Sequence, residues 1–121
     1  MRLFAIAIAI AMTVAGCLAA SAAQAEIDTA FGNTVVSRYP DGAWVKHWFN
    51  PDGTYQAHFS DGRELVARWT VDGDRVCLSQ MRPSMLLPRF CTPLIEAEVG
   101  ETWRSRDPLG RTVQNVLQAG R

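Results

Sequence analysis

Lysine is nearly missing from this chain of 121 residues: Lys46 is the single example, and arginine carries the rest of the positive charge. Basic and acidic residues balance to a formal net charge of zero, and setting aside Arg2 at the very start leaves 11 cations against 12 anions. A dedicated nucleic-acid binder carries a basic excess, so no nucleic-acid partner is expected. Histidine is scarce as well, with only His47 and His58, and cysteine occurs three times. There is no Cys-x-x-Cys, no His-x-x-x-His, no Gly-rich phosphate loop and no Ser nucleophile motif. No catalytic residue, metal site or cofactor is therefore expected, and the chain reads as a non-enzyme. No repeat longer than a strand and its turn is present, and no segment is low-complexity or linker-like.

Apolar residues are concentrated at the start. Met1-Arg2 opens with one positive charge, Leu3 to Ala20 is almost purely apolar, and Ala23-Gln24-Ala25 supplies the small-x-small pattern of a signal-peptidase site. The expectation is an exported protein, with residues 1–25 a signal peptide and residues 26–121 a single domain. A transmembrane helix is the rival reading of the run; the cleavage pattern and the abrupt change to polar, turn-rich sequence speak against it. Val14-Ala15-Gly16-Cys17 matches the bacterial lipoprotein box and offers a second exit, with Cys17 lipidated. Lipoproteins usually continue into a polar tether, whereas Leu18-Ala19-Ala20 prolongs the apolar run. The first exit implies the periplasm, the second the outer membrane, and membrane contact follows only from lipidation.

What the chain has in quantity is turns. Asp41-Gly42, Asp52-Gly53, Asp61-Gly62 and Asp72-Gly73 follow one another at intervals of 11, 9 and 11 residues, with runs rich in Trp, Val, Phe and Tyr between them. Glycine accepts the positive φ of a tight turn and aspartate folds back onto nearby amides, so the spacing predicts an antiparallel meander. Strands are expected over 34–39, 43–50, 54–59, 63–71, 75–81, 89–92, 101–106 and 111–117, seven or eight in all. Residues 26–33 form a lead-in with room for one helical turn.

Two of these strands have a readable inner face. Tyr55, Ala57 and Phe59 alternate with polar residues, as do Leu65, Ala67, Trp69 and Val71 with mostly polar ones, so odd positions point inward. A three-residue loop at Ser60-Asp61-Gly62 pairs Phe59 with Arg63 and Ala57 with Leu65, keeping both apolar sets on one side. The strand over 43–50 is ambiguous. If Pro51-Asp52-Gly53 copies its neighbour, His47 faces inward while Trp44 and Trp48 face out; one residue of slip reverses this. The same slip decides whether His47 and His58 share a face, where with Glu64 or Asp61 they could hold a metal.

With export, Cys77 and Cys91 are expected to form a disulfide. Closing a loop of about 15 residues contributes roughly 3 kcal/mol in the chain-entropy account. Within that loop lies Arg82-Pro83-Ser84-Met85-Leu86-Leu87-Pro88-Arg89. Met85, Leu86 and Leu87 flanked by Arg82 and Arg89 suit either an apolar recognition tip with a basic rim or a plug for one end of the core. Tethering lowers the ordering cost of binding, which keeps the first alternative open. The tryptophans, Trp44 and Trp48 among them, suit a ligand cavity or simply the core.

Gly32-Asn33-Thr34, Trp48-Phe49 with Asp52-Gly53-Thr54-Tyr55, Trp69-x-Val71-x-Gly73, Val76-Cys77-Leu78, and Cys91 with Val99-Gly100-x-x-Trp103 resemble small exported proteobacterial proteins of unknown function. The resemblance covers most of residues 26–121 and implies an all-β, lipocalin-like barrel or half-barrel; it carries no catalytic residues. The expected function is a non-enzymatic, monomeric binding module of the bacterial envelope, recognising an apolar small molecule or an envelope protein. The alternative is an exported inhibitor of a hydrolase acting through residues 82–89.

Overall fold

The computed structural model describes residues 27–84, 87–94 and 96–121. The expected leader, Cys17, Met85 and Leu86 lie outside the described residues. Eight strands follow in order: β1 (Thr34–Arg38), β2 (Trp44–Phe49), β3 (Thr54–Phe59), β4 (Glu64–Asp72), β5 (Arg75–Arg82), β6 (Arg89–Pro93), β7 (Thr102–Arg106) and β8 (Thr112–Gln118). They form one antiparallel sheet in the spatial order β6-β5-β4-β3-β2-β1-β8-β7. Every strand thus pairs with its sequence neighbours, and β8 returns to pair with β1. The exception is β6 and β7, which lie side by side without a ladder, so the barrel is closed except for one seam. A cleft of about 280 Å³ runs along that seam between Phe90–Pro93 and Arg104–Asp107.

Turn chemistry explains the meander. Tyr39 N–H donates to Ala43 O, Asn50 N–H to Thr54 O and Phe59 N–H to Arg63 O, each bond enclosing a three-residue loop with glycine third. Gly42, Gly53 and Gly62 sit at φ of 91°, 87° and 92°, the left-handed slot this loop requires. In each loop the aspartate Oδ1 accepts the N–H two residues on, from Ala43, Thr54 and Arg63. Asp72-Gly73 differs from the other three. Asp72 ends β4 and pairs with Arg75, leaving the two-residue loop Gly73-Asp74. The fourth loop of the three-residue kind is Pro108-Leu109-Gly110, where Asp107 caps from in front by accepting from Leu109 and Arg111 N–H.

Loop length fixes register, and register fixes the faces. Ala57 pairs with Leu65, as the Ser60 turn predicts. Phe49 pairs with Tyr55 and His47 with Ala57, so the Pro51 turn copies its neighbour. His47 therefore faces inward, and Trp44 and Trp48 face out. Inside, Val45, Tyr55, Ala57, Leu65, Ala67, Trp69, Val76 and Met81 form a continuous core with Ile27. Each large apolar side chain buried there contributes about 1.5–3 kcal/mol. The lead-in covers one end of it: i→i+3 bonds from Ala30 and Phe31 to Ile27 and Asp28 make a single turn, which buries Ile27 and Ala30 and sets Phe31 5.8 Å from Trp69. Cys77 and Cys91 lie directly opposite each other on β5 and β6 and are disulfide-bonded, with their Cα atoms 4.0 Å apart.

Candidate functional site

The inner face is not uniformly apolar. Ser37 on β1, His47 on β2, Tyr55 on β3, Asn115 on β8 and Ser105 on β7 are linked by hydrogen bonds across the interior. Ser37 Oγ lies 2.8 Å from His47 Nε2, a spacing that suits a nucleophile and its base. The directions of the bonds exclude that pairing. Ser37 donates to Asn115 Oδ1 at 2.6 Å, because a carbonyl oxygen can only accept. His47 must then carry its proton on Nε2 and donate to Ser37, while Nδ1 accepts from the Tyr55 hydroxyl. Asn115 Nδ2 in turn donates to Ser105 Oγ at 2.9 Å. The chain runs one way, Tyr55 to His47 to Ser37 to Asn115 to Ser105, and holds His47 neutral. Burial lowers the His47 pKa to about 4 and raises that of Tyr55 above its ordinary value, the latter aided by nearby Tyr39. Among the described residues, no buried side-chain nitrogen or oxygen lacks a partner.

A second polar cluster seals the β1–β2 end. Tyr39 donates to Asp107 Oδ2 at 2.8 Å, and Arg111 both pairs with that carboxylate at 2.9 Å and lies over the Tyr39 ring. Burial alone would raise the Asp107 pKa; the hydrogen bonds from Arg111 and Tyr39 outweigh it and hold the carboxyl below its usual range. Burial, and then Asp107, push the Tyr39 hydroxyl up to about 12.

Trp44 and Trp48 lie on the outside of β2 and are half-buried there. Lys46 Nζ sits 4.9 Å over Trp44. Trp48 donates through Nε1 to Thr34 Oγ1, meets His58 edge-on at 4.8 Å, and carries the Arg121 guanidinium over its ring at 5.6 Å. The cover these outward rings need thus comes from the chain's own cations. His58 is on this outer face, opposite in sense to His47, and reaches Glu64 at 3.4 Å. Among the described residues no three His, Cys, Asp or Glu side chains stand close enough to hold a metal ion.

Of the loop between β5 and β6, Leu87 is 43% exposed and so does not plug the core. Arg89 is paired with Asp72 at 3.0 Å, while Arg82 ends β5 with no ion pair among the described residues. Arg82 instead lines a cleft of about 370 Å³ together with Arg68 and Gln80, two residues that the sequence did not single out. The signal that places them there is a β-bulge: between the pairs Val66–Arg82 and Arg68–Ser79, one residue on β4 faces two on β5. No composition or periodicity announces such an insertion.

The fold defines a small, nearly closed, antiparallel β-barrel whose described inner face is packed with buried side chains. No family model, curated protein or solved structure matches the chain.

Proposed function

We propose that this protein is an exported, non-enzymatic binding module of the bacterial envelope that recognises an envelope protein through the loop between β5 and β6. One observation carries the reading: the interior is filled, with Ala57 0% and Leu117 1% exposed, while Leu87 stands 43% exposed on a loop tethered by the Cys77–Cys91 disulfide. A packed lumen supports an outer surface over a ligand cavity as the place of recognition. An apolar side chain held on a cross-linked loop loses little freedom on docking, so its burial converts efficiently into affinity. The resemblance to small exported proteobacterial proteins agrees with this setting.

A photo-crosslinking amino acid at position 87, compared with one at exposed Thr70, tests the reading in cells that export the protein. A discrete crosslinked species from position 87 and none from position 70 is expected, and Leu87→Asp should compete poorly with it. Equal labelling from both positions, or none from 87, overturns the reading. Native mass spectrometry of the protein from its own envelope separates the rival, because a bound small molecule would return recognition to the barrel. The inhibitor alternative is the narrower case in which the crosslinked species is a hydrolase.

A further inference from the structure

Among the described residues, β6 and β7 are the two strands with a paired neighbour on one side only. Antiparallel bonding alternates along a strand, so their unpaired backbone groups can be named. Asp107 N–H donates to Arg111 O at 2.9 Å and Leu117 N–H to Glu101 O at 3.2 Å, which commits the odd positions of β7 to β8. The N–H and C=O groups of Thr102, Arg104 and Arg106 therefore point into the seam. On the other lip, Leu94 N–H donates to Asp74 O at 2.8 Å, which commits the even positions of β6 to β5 and turns those of Arg89, Cys91 and Pro93 to the seam.

A free edge is a template for another strand, and proteins commonly blunt it. β6 is blunted by Pro93, which has no N–H to offer. β7 keeps its full row: it has no proline, and its register with β8 is unbroken from Thr102 to Arg106. The cleft of about 280 Å³ opens beside Arg104 and Arg106, with Phe90 across it, half-buried against the core.

Charge selects the occupant. Arg104 and Arg106 are exposed on the outer face, and Arg106 also donates to Gly110 O at 3.0 Å. No Asp or Glu occurs in β7, β8 or β1, and exposed Arg38 stands in the same cross-strand row as Arg104, with Gln114 between them. Asp107, next along the chain, is already engaged by Tyr39 and Arg111. Two β7 edges meeting antiparallel would set arginine beside arginine, and like charges on paired strands destabilise the pairing. A second copy is thus a poor occupant, whereas a strand with acidic residues at alternate positions gains from the same geometry. We infer that the β7 edge takes up an extended acidic segment of a partner protein as an added antiparallel strand. Main-chain bonds to Thr102, Arg104 and Arg106 hold the segment. Its carboxylates, two residues apart, lie opposite Arg104 and Arg106, and the apolar residue between them faces Phe90. The site does not rest on the partner reading above, since it needs no contact from Leu87.

The test is an NMR titration of the ¹⁵N-labelled protein, recovered from the envelope after expression with its own leader, using acetyl-Ser-Glu-Val-Glu-Val-Ser-amide as probe. Saturable shifts are expected at the amides of 102–106, with slowed hydrogen exchange at Thr102, Arg104 and Arg106. N-methylation of either Glu of the probe, or Lys in place of both, should weaken binding at least about tenfold. Arg104→Glu and Arg106→Glu should each weaken it about as much. Thr102→Pro, which removes one edge N–H and leaves the charge unchanged, should weaken it several-fold. Unchanged spectra of the free variants away from β7 would show that the fold is intact. The proposal is overturned by absence of saturable shifts at these amides, or by unchanged affinity in both arginine variants. It is equally overturned if the N-methylated probes bind as well as the parent, which would leave only loose attraction of charge. Concentration-dependent shifts at 102–106 without probe would give the edge to a second copy and also overturn it. Failure of the crosslinking at position 87 leaves the titration result in place, so the two readings fail separately.

Discussion

Acid should unfold this protein through His47 before the carboxylates matter. In the unfolded chain an imidazole takes up its proton near the ordinary pKa of 6.5, whereas in the barrel burial lowers the value to about 4. Between those two values the unfolded state binds a proton that the folded state refuses. Stability is therefore complete above about pH 6.5, falls as pH drops toward 4, and levels off below it with respect to this group. A separation of this size corresponds to about 3 kcal/mol by pH 4, a large share of what a domain this small has in reserve. The structural cause is specific: His47 donates to Ser37, whose own proton is committed to Asn115, and accepts from Tyr55. A second proton on Nδ1 would face the Tyr55 oxygen and break the direction of the chain. Urea unfolding followed by tryptophan fluorescence at pH 7, 6, 5 and 4.5 measures the slope, and the His47 C2–H resonance reports its titration directly. His47→Gln should be less stable at pH 7 yet nearly flat over the same range. A wild-type stability that does not change between pH 6.5 and 4.5, or a slope that survives in His47→Gln, would refute the reasoning.

Three further outcomes follow from the packing and the turns. Reducing the Cys77–Cys91 disulfide should lower unfolding stability by roughly 3 kcal/mol, read as a shifted urea midpoint in dithiothreitol. Ala57→Leu should cost about 1–3 kcal/mol, because Ala57 is fully buried opposite His47 and Leu65 and a larger side chain has nowhere to go; thermal melts would show it. Gly62→Ala and Gly53→Ala should each cost about 1–2 kcal/mol from the left-handed backbone alone. The two should agree closely, since a Cβ at Gly62 meets open space and one at Gly53 meets only the mobile end of Arg68, at 3.3 Å. A cost at Gly53 several times that at Gly62 would mean that Arg68 is held rigidly.

Strand positions were legible because each signal is local. The three-residue loops at 40–42, 51–53 and 60–62 set both where strands stop and which residues face each other, so the inward row Tyr55, Ala57 and Phe59 could be paired with Leu65 from the sequence. The same loop chemistry at Pro51 decides the face of His47, but a sequence offers no way to verify that two similar loops have equal length until the strands are paired. Asp72-Gly73 shows the limit: the same dipeptide makes a two-residue loop there, because Asp72 is drawn into β4 by pairing with Arg75.

What the sequence determined by itself is therefore the all-β meander, its turns, and the disulfide between Cys77 and Cys91. Tertiary structure alone decided three things: that β8 returns to β1 and leaves the seam at β6 and β7, that Ser37, His47 and Asn115 meet inside, and that Arg68, Gln80 and Arg82 share a cleft. The physical reason is sequence separation. Turns and alternation act over a few residues, whereas Ser37 and Asn115 stand 78 positions apart, and only closure of the barrel brings them within a hydrogen bond.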